Sequence, residues 1–539
     1  MRWWGWGADG HAPARPAHAL GFLDEELGPG RRRAPPVALQ AVRLPASELP
    51  APARRSLEDR VGRHGVRDDH ACRVAHCAGR SYSDLLGLRS GRPQGAPDAV
   101  VFPADAEQVA AVLSVCAREG VAVVPFGGGT SVVGGVAPLR GACGSVIALD
   151  LSRLQGLVGV DRRSLTAVVS AGTRAPALEK LLATQDLTLG HFPQSFEYVS
   201  IGGCVATRSA GQASTGYGRI DDLVLGLRCA TPTGELALGS RPASAAGPDL
   251  RELLVGSEGA LGVITQVSLQ VSPRPAVRRY EGMFFSSFAE GADALRAAVQ
   301  AHVAPHVARL SDEQETRLTL ALAGESTLSA RLGGAYLRAR GYSGGCLAIV
   351  GWEGSAQRVE GLRAEAMEVL LAHGALRLGR RPGEAWERSR FSAPYLRDDL
   401  LGHGVMVETL ETAAPWSTLG ELHGAVADAL RRSLGDRGTP PLVGCHISHL
   451  YASGASLYFT FLARQQEGQE LEQWRAAKSA ASRAIVAAGA TITHHHGVGR
   501  DHAPWLEAET GRRGLAALRA LKAELDPDAI MNPGKLLAG

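Results

Sequence analysis

The sequence of 539 residues predicts an α+β fold in more than one part, and three observations predict it. Helical and strand periodicities alternate from Ala96 to about Pro273. From about Arg274 to Ala490, helical patterns mix with alternating strands. The chain is also too long for a single hydrophobic core.

In chain order, residues 12–55 are rich in Pro, Ala and Arg with little periodicity, and are expected to form an extended arm. Asp105 is set to cap a helix carrying Val109, Val112, Leu113 and Cys116 on one face, and Gly120 ends it. Val121 to Val124 reads as a buried strand running into a glycine cluster. A strand at Val146 to Leu149 and a strand–helix pair from Ala167 to Ala183 continue the alternation. Phe284-Phe285, Leu347 to Val350 and Leu457 to Phe461 are the clearest later strands. Glu315 to Tyr342, rich in Leu, Ala and Arg, reads as an amphipathic helical excursion, either core-packed or lying on a membrane surface. No internal repeat is visible.

Composition narrows the function classes. Hydrophobic residues at 45% and charged residues at 21% are globular values, and a formal charge of +3 makes no case for nucleic acid. The eight cysteines are scattered without paired CxxC motifs, as in a reduced, intracellular protein. No apolar run approaches the roughly 18 residues of a membrane span. The tryptophan-rich start lacks the apolar core of a signal peptide, and the last residues, Leu536 to Gly539, are not a peroxisomal tripeptide. A cytoplasmic protein is expected.

Four small-residue blocks carry the binding chemistry. The first is Pro125-Phe126-Gly127-Gly128-Gly129-Thr130-Ser131. Consecutive glycines let successive backbone N–H groups turn toward one anion, and a pyrophosphate is the natural guest. Alone, such a run more often only turns the chain. It is followed by Gln194-Ser195-Phe196-Glu197-Tyr198-Val199-Ser200, by Thr207-Arg208-Ser209-Ala210, and by Glu258-Gly259-Ala260-Leu261-Gly262-Val263-Ile264. Each places close-approach glycines or small polar residues where backbone lies against a flat ligand. Neither GxGxxG at the first strand nor GxxxxGK[ST] is present, so Rossmann and P-loop readings are weak.

Near the C-terminus stands Thr493-His494-His495-His496-Gly497-Val498-Gly499. On an extended segment His494 and His496 point one way and His495 the other. Three imidazoles offer acid–base capacity near neutral pH. Read alone, the tract is as well explained by a metal site or a solvated loop.

The order and spacing of the four blocks resemble the FAD-binding module of vanillyl-alcohol-oxidase-type flavoproteins. Essentially end to end, the chain resembles the alkyl-dihydroxyacetonephosphate synthases, matching poorly only in residues 12–55 and around 315–345. Arg2-Trp3-Trp4-Gly5-Trp6-Gly7 looks like that family's start, Glu408 to Trp416 like its cap motif, and His494 to Gly499 like its histidine block. The resemblance implies a PCMH-type FAD-binding domain at 96–274 and an inserted α+β cap on an antiparallel sheet at 275–490. It implies an N-terminal arm and helical region at 1–95, and a segment at 491–539 returning to the flavin site. FAD would be non-covalent, with His191, the nearby candidate for a covalent link, structural.

The resemblance further implies exchange of the acyl group of acyl-dihydroxyacetone phosphate for a long-chain fatty alcohol. The route is an adduct at flavin N5, without net redox change. By position, Tyr458 matches the proton donor and acceptor, Arg397 the phosphate-binding arginine, and Arg309 another arginine needed for activity. His494, His495 and His496 complete the set. Read without the resemblance, Tyr458 is an ordinary sheet tyrosine, and Arg309 and Arg397 are partners of Asp312 and Asp398. Long-chain substrates imply peripheral contact with a membrane, here the inner leaflet, and a homodimer is compatible with the reading.

The main alternative is an FAD-dependent D-2-hydroxyacid dehydrogenase or oxidase on the same fold. Those enzymes carry Glu-His-Gly where this chain has His495-His496-Gly497. They also carry a His-x-Gly-Asp-Gly-Asn motif where it has His446 to Phe459. Both acidic features are missing, so no metal is expected. A lipid- or metal-binding protein without catalysis is the third reading.

Overall fold

The computed structural model describes residues 1–8, 10, 18–323, 337, 339–340 and 344–537. Its first 273 residues hold two larger sheets and, among the described residues, a two-stranded pairing of Leu187–Thr188 with Ser272–Pro273. In the first, the strands run in the order Val66–Arg67, Ala99–Val101, Ser145–Asp150, Val121–Phe126, and the last three are parallel. Parallel strands need a crossover. With Ser145–Asp150 lying between them, Ala99–Val101 and Val121–Phe126 are joined by the helix Ala106–Glu119. Asp105 accepts the Gln108 N–H at its start, and Gly120 adopts a left-handed φ of 63° at its end. Its Val109, Val112, Leu113 and Cys116 bury against the sheet, as their spacing predicts.

The second sheet is antiparallel, in the order Leu157–Asp161, Thr166–Ser170, Val263–Gln270, Val224–Thr231, Gly234–Leu238. The glycine-rich loop leaves the end of Val121–Phe126, where a parallel sheet opens toward ligands.

The third sheet has seven strands, all paired antiparallel: Leu376–Gly379, Val277–Phe285, Cys346–Gly354, Val307–Ser311, Leu442–Tyr451, Gly454–Arg464, Val405–Pro415. The helices Phe288–Gln300, Ala356–Ala372, Trp416–Gly435 and Glu470–Ala487 contribute to one apolar core with it. Period-two alternation decides which side chains join that core. Along Gly454–Arg464, Ala455, Leu457, Phe459, Phe461 and Ala463 belong to it. Tyr458, Thr460 and Leu462 instead line a cavity.

The chain then returns to the first sheet. Met531 forms a parallel bridge with Val123, and Ile530 and Met531 are buried in the core that contains Val123. Asn532 Nδ2 donates to Gly135 O and Glu258 O at 3.1 and 2.6 Å.

The extended arm needs correction. The described part of residues 12–55 includes the helix Ala19–Leu27, a short 3-10 turn at Leu39–Ala41 and the start of the helix Ala51–Val61. Ala19, Leu23 and Leu27 recur every fourth residue and are buried, a spacing hidden by the proline- and arginine-rich flanks. Of the Glu315 to Tyr342 excursion, the helix Glu313–Ala323 is observed, and most of the remainder lies outside the described residues.

Candidate active site

A cavity of about 500 Å³ separates the glycine-rich loops from the polar face of the seven-stranded sheet. The sheet wall follows from register. Glu411 pairs with Tyr458, Tyr458 with His446, and His446 with Ser311, so four neighbouring strands present these residues in one row. Directly opposed side chains share a face, and the His446 and Tyr458 rings stack with centroids 4.9 Å apart. Arg309 lies two residues from Ser311 and reaches the same wall. Its Nη2 donates to Glu315 Oε1 at 3.0 Å, an oxygen that also takes His446 Nδ1 at 2.9 Å. The expected partner Asp312 instead meets His423 at 3.0 Å.

Glu411 organises the histidine tract. Its buried carboxylate accepts the backbone N–H groups of His494, of His495 at 3.1 Å and of His496 at 2.6 Å. The Thr493 hydroxyl adds a fourth bond at 2.8 Å. Three consecutive N–H groups on one anion demand a curled backbone, so the tract is no strand and the expected alternation of its rings does not occur. His495 and His496 line the cavity, with centroids 6.0 and 5.6 Å from the Tyr458 ring. His494 is not on the wall; it is buried, with Nε2 2.6 Å from the Tyr451 hydroxyl and Nδ1 2.9 Å from His495 Nδ1.

Burial sets the charge states. It holds the imidazoles of His494, His495 and His496 below their ordinary value, His494 at about 4, although Glu411 pulls the other way. Burial alone would raise the Glu411 carboxyl, but the N–H and O–H donors gathered on it hold it well below the usual range. Burial pushes the Tyr458 phenol up to about 12. The wall therefore presents a protonated phenol beside neutral imidazoles.

Opposite, the four blocks divide by residue. Pro125, Gly127, Gly128, Gly129, Thr130 and Ser131 line the cavity, whereas Phe126 turns its ring under Gly129 and against His76. Gln194, Ser195, Val199 and Ser200 line it. Phe196 packs between Phe192 and Phe391, Glu197 bonds Trp6 and Tyr395, and Tyr198 meets the Trp6 ring edge-on. Thr207, Ser209 and Ala210 line it, while Arg208 pairs with Asp221 and Glu252. Gly259, Gly262, Val263 and Ile264 line it, with Ala260 and Leu261 buried in the cores behind. Glu258 also reaches the wall. Its carboxylate is spent on the N–H groups of Val498 and Gly499, at 2.6 and 2.7 Å, which ties the histidine segment to the glycine loops.

These walls fit FAD. Small residues leave room for a flat ring and a pyrophosphate. Among the described residues, Gln194 Nε2 and Gln212 Oε1 are buried on the wall without partners, a donor and an acceptor suited to the polar edge of an isoalloxazine. His191 is buried away from the wall against the Ser209 hydroxyl at 3.1 Å. Arg397 lines the cavity, with Nε and Nη2 on Asp398 Oδ1 at 3.2 and 3.1 Å. Leu318, Leu396, Leu400, Val407 and Leu462 add an apolar region that joins the helix Ala19–Leu27.

Two trios, His449 with His494 and His495, and Glu411 with His495 and His496, bring donor atoms within 4.8 Å of one another, close enough to hold a cation. Hydrogen bonds among His494, His495 and Tyr451 already engage several of these nitrogens. Sequence reasoning gave no role to Glu411, His446, Gln212, Arg80 or Trp6. For Trp6 a signal existed, since a tryptophan in a polar, glycine-rich start needs a partner. The others depend on strand register and loop closure.

The model for the FAD binding domain matches residues 97–238, and that for the C-terminal domain of FAD linked oxidases matches residues 274–536. The fold and site thus define an FAD-dependent enzyme. Alkyldihydroxyacetonephosphate synthase of Dictyostelium discoideum is 34% identical over 88% of this chain and 78% of its own, and that of Trypanosoma brucei brucei 32% over 100% and 92%. A solved alkyldihydroxyacetonephosphate synthase superposes with a TM-score of 0.86 at 30% identity, covering 99% of this chain and 98% of its own. A 4-ethylphenol oxidase, with a TM-score of 0.68 at 16% identity over 92% and 98%, shares the fold. The chain belongs to the alkyldihydroxyacetonephosphate synthase family.

Proposed function

We propose that this enzyme exchanges the acyl group of acyl-dihydroxyacetone phosphate for a long-chain fatty alcohol, making an ether-lipid precursor without net redox change. The observation that carries the reading is Tyr458, flanked by His446, His495 and His496, on the cavity wall opposite the glycine-rich loops.

Pro125 to Ser131 would hold the FAD pyrophosphate, and Gln194, Gln212 and the Thr207 to Ala210 turn its ring system. Bound FAD supplies a nitrogen nucleophile beside the reacting carbon. Tyr458 exchanges a proton at that carbon. Burial keeps the phenol protonated, so it takes the carbon's proton only as its own passes on to His495 or His496, and the relay runs in reverse when the proton returns. Arg397 binds the phosphate as a planar fork, oriented by Asp398. Arg309 keeps His446 and Glu315 in place behind the phenol. The apolar region at Leu318, Leu400 and Leu462 receives an alkyl chain, and such substrates put the enzyme at a membrane surface as a peripheral protein. Among the described residues, no helix is long and apolar enough to cross a membrane.

The test is incubation of purified protein with FAD, acyl-dihydroxyacetone phosphate and labelled fatty alcohol. Labelled alkyl product with release of fatty acid is expected. Flavin reduction by D-2-hydroxyacids with no ether formed overturns the reading.

A further inference from the structure

One end of the cavity brings two guanidinium groups together, near the buried carboxyls of Asp84 and Asp398. Arg80 and Arg397 both line it, and Arg397 bonds the Arg80 carbonyl through one N–H of Nη1 at 2.9 Å and Asp398 through Nε and one N–H of Nη2. Asp398 is further committed to the Trp6 backbone N–H. Among the described residues, the Arg80 guanidinium bonds only carbonyls, Gly79 O at 2.6 Å and Arg2 O at 2.9 Å, and its Nε is buried with no partner. Its residue is 4% exposed. Asp398 and Asp84 act on it through space, but carbonyls take its hydrogen bonds, and neutral carbonyls do not fully return its lost hydration.

We propose that Arg80 is the second guanidinium of the substrate's phosphate site, closing with Arg397 on a phosphate monoester dianion. The assignment rests on the reading under Proposed function and adds a residue to it. Two guanidinium groups match two negative charges: Arg80 has Nε open, and each Nη of both groups carries a second N–H beyond the one already bonded, so both can donate to phosphate oxygens. Arg80 stays charged at neutral pH, since burial lowers it only to about 10.

The N-terminal segment gives the pair its setting. Arg2 O receives Arg80 Nη2, and Trp6 sits 3% exposed on the cavity wall with Nε1 3.2 Å from Glu197 Oε2. The aromatic start thus forms part of the enclosure that keeps water from the guanidinium groups, where charge–charge attraction is strongest. The cofactor's pyrophosphate has the same chemistry. The Arg80 backbone N–H lies on Ser131 O at 2.6 Å, so the experiment must separate the two phosphates.

The full-length FAD-loaded enzyme is titrated with dihydroxyacetone phosphate, read by flavin absorbance, and assayed for KM of both substrates. In Arg80→Lys and Arg80→Gln, affinity for dihydroxyacetone phosphate and KM for the acyl substrate are expected to worsen at least about 10-fold, a loss of about 1.4 kcal/mol. KM for the alcohol and FAD content stay unchanged. Unchanged phosphate affinity overturns the assignment, and so does loss of FAD, which would make Arg80 a cofactor residue.

A wild-type measurement is independent of how the variants fold. Dihydroxyacetone phosphate should bind at least about 10-fold more tightly than dihydroxyacetone sulfate, and should weaken as pH falls below a second phosphate pKa of roughly 6. Equal affinity for the singly charged ester overturns the proposal. A wild type that makes no ether defeats the parent reading instead; an active wild type with indifferent variants defeats only this one.

Discussion

Glu411 accepts the backbone N–H of His495 at 3.1 Å, joining a sheet strand to a loop 84 residues further along the chain. The same carboxylate receives His494 and His496, so one anion sets the curvature that turns His495 and His496 into the cavity. In Glu411→Gln a neutral amide replaces the anion and brings a donor among donors. A stability loss of about 1–3 kcal/mol is expected, with turnover falling on the order of 10- to 100-fold as the imidazoles lose position. Thermal unfolding and the exchange assay check both, and wild-type turnover in this variant would remove Glu411 from the site's construction.

Tyr458→Phe keeps the ring that stacks on His446 and deletes only the hydroxyl. FAD content and the flavin spectrum should be unchanged, and ether formation should fall at least about 100-fold. Normal turnover would exclude the proton role.

Arg397→Lys exchanges a fork for a point charge beside Asp398. KM for the phosphate-bearing substrate should rise about 10-fold or more, with the alcohol's KM unaffected. Steady-state kinetics in each substrate separates the two, and a change confined to the alcohol would contradict the assignment.

The glycine cradle tolerates no side chain at Gly128. A Cβ there meets the Tyr198 carbonyl and lies 3.0 Å from Val199 Cα, both backbone. Gly128→Ala is expected to lower FAD occupancy at least about 10-fold, measured by the ratio of flavin to protein absorbance. Acid precipitation of the wild type should leave all flavin in the supernatant, since His191 is buried away from the cavity wall. Flavin retained in the pellet would show a covalent link.

Beneath the glycine loop, His76 Nε2 lies 2.8 Å from Asp150 Oδ2. Burial lowers the imidazole's pKa, but the Asp150 bond outweighs it and raises the group to about 9. A raised folded pKa stabilises fully below the unfolded value of about 6.5 and is lost as pH rises through 9. Stability should therefore fall between pH 6.5 and 9 by up to about 3 kcal/mol, and His76→Gln should flatten that slope. Denaturant titrations across the window decide it; an identical slope in the variant would detach the effect from His76.

Much of the scaffold was readable residue by residue. The Asp105 cap, the helix it starts, the strands at Val121 and Ser145 and the strand around Leu457 all follow local rules of spacing and capping. The helix Ala19–Leu27 was missed because three buried residues in a proline-rich stretch are a weak signal. Phe126, Phe196 and Arg208 stand inside blocks read as ligand contacts, yet alternate residues of a tight loop must turn inward to the core or outward to a partner.

Local chemistry marked out the small-residue blocks and the histidine run, because backbone freedom and side-chain type are properties of adjacent residues; the cap motif was legible only through its resemblance. Folding alone put Glu411, Tyr458 and His446 in one row, curled the tract around a carboxylate and set Arg80 beside Arg397. Those relations arise from cross-strand register and from contacts spanning 83 to 317 positions. They are fixed by packing of whole sheets and loops, which no window of neighbouring residues encodes.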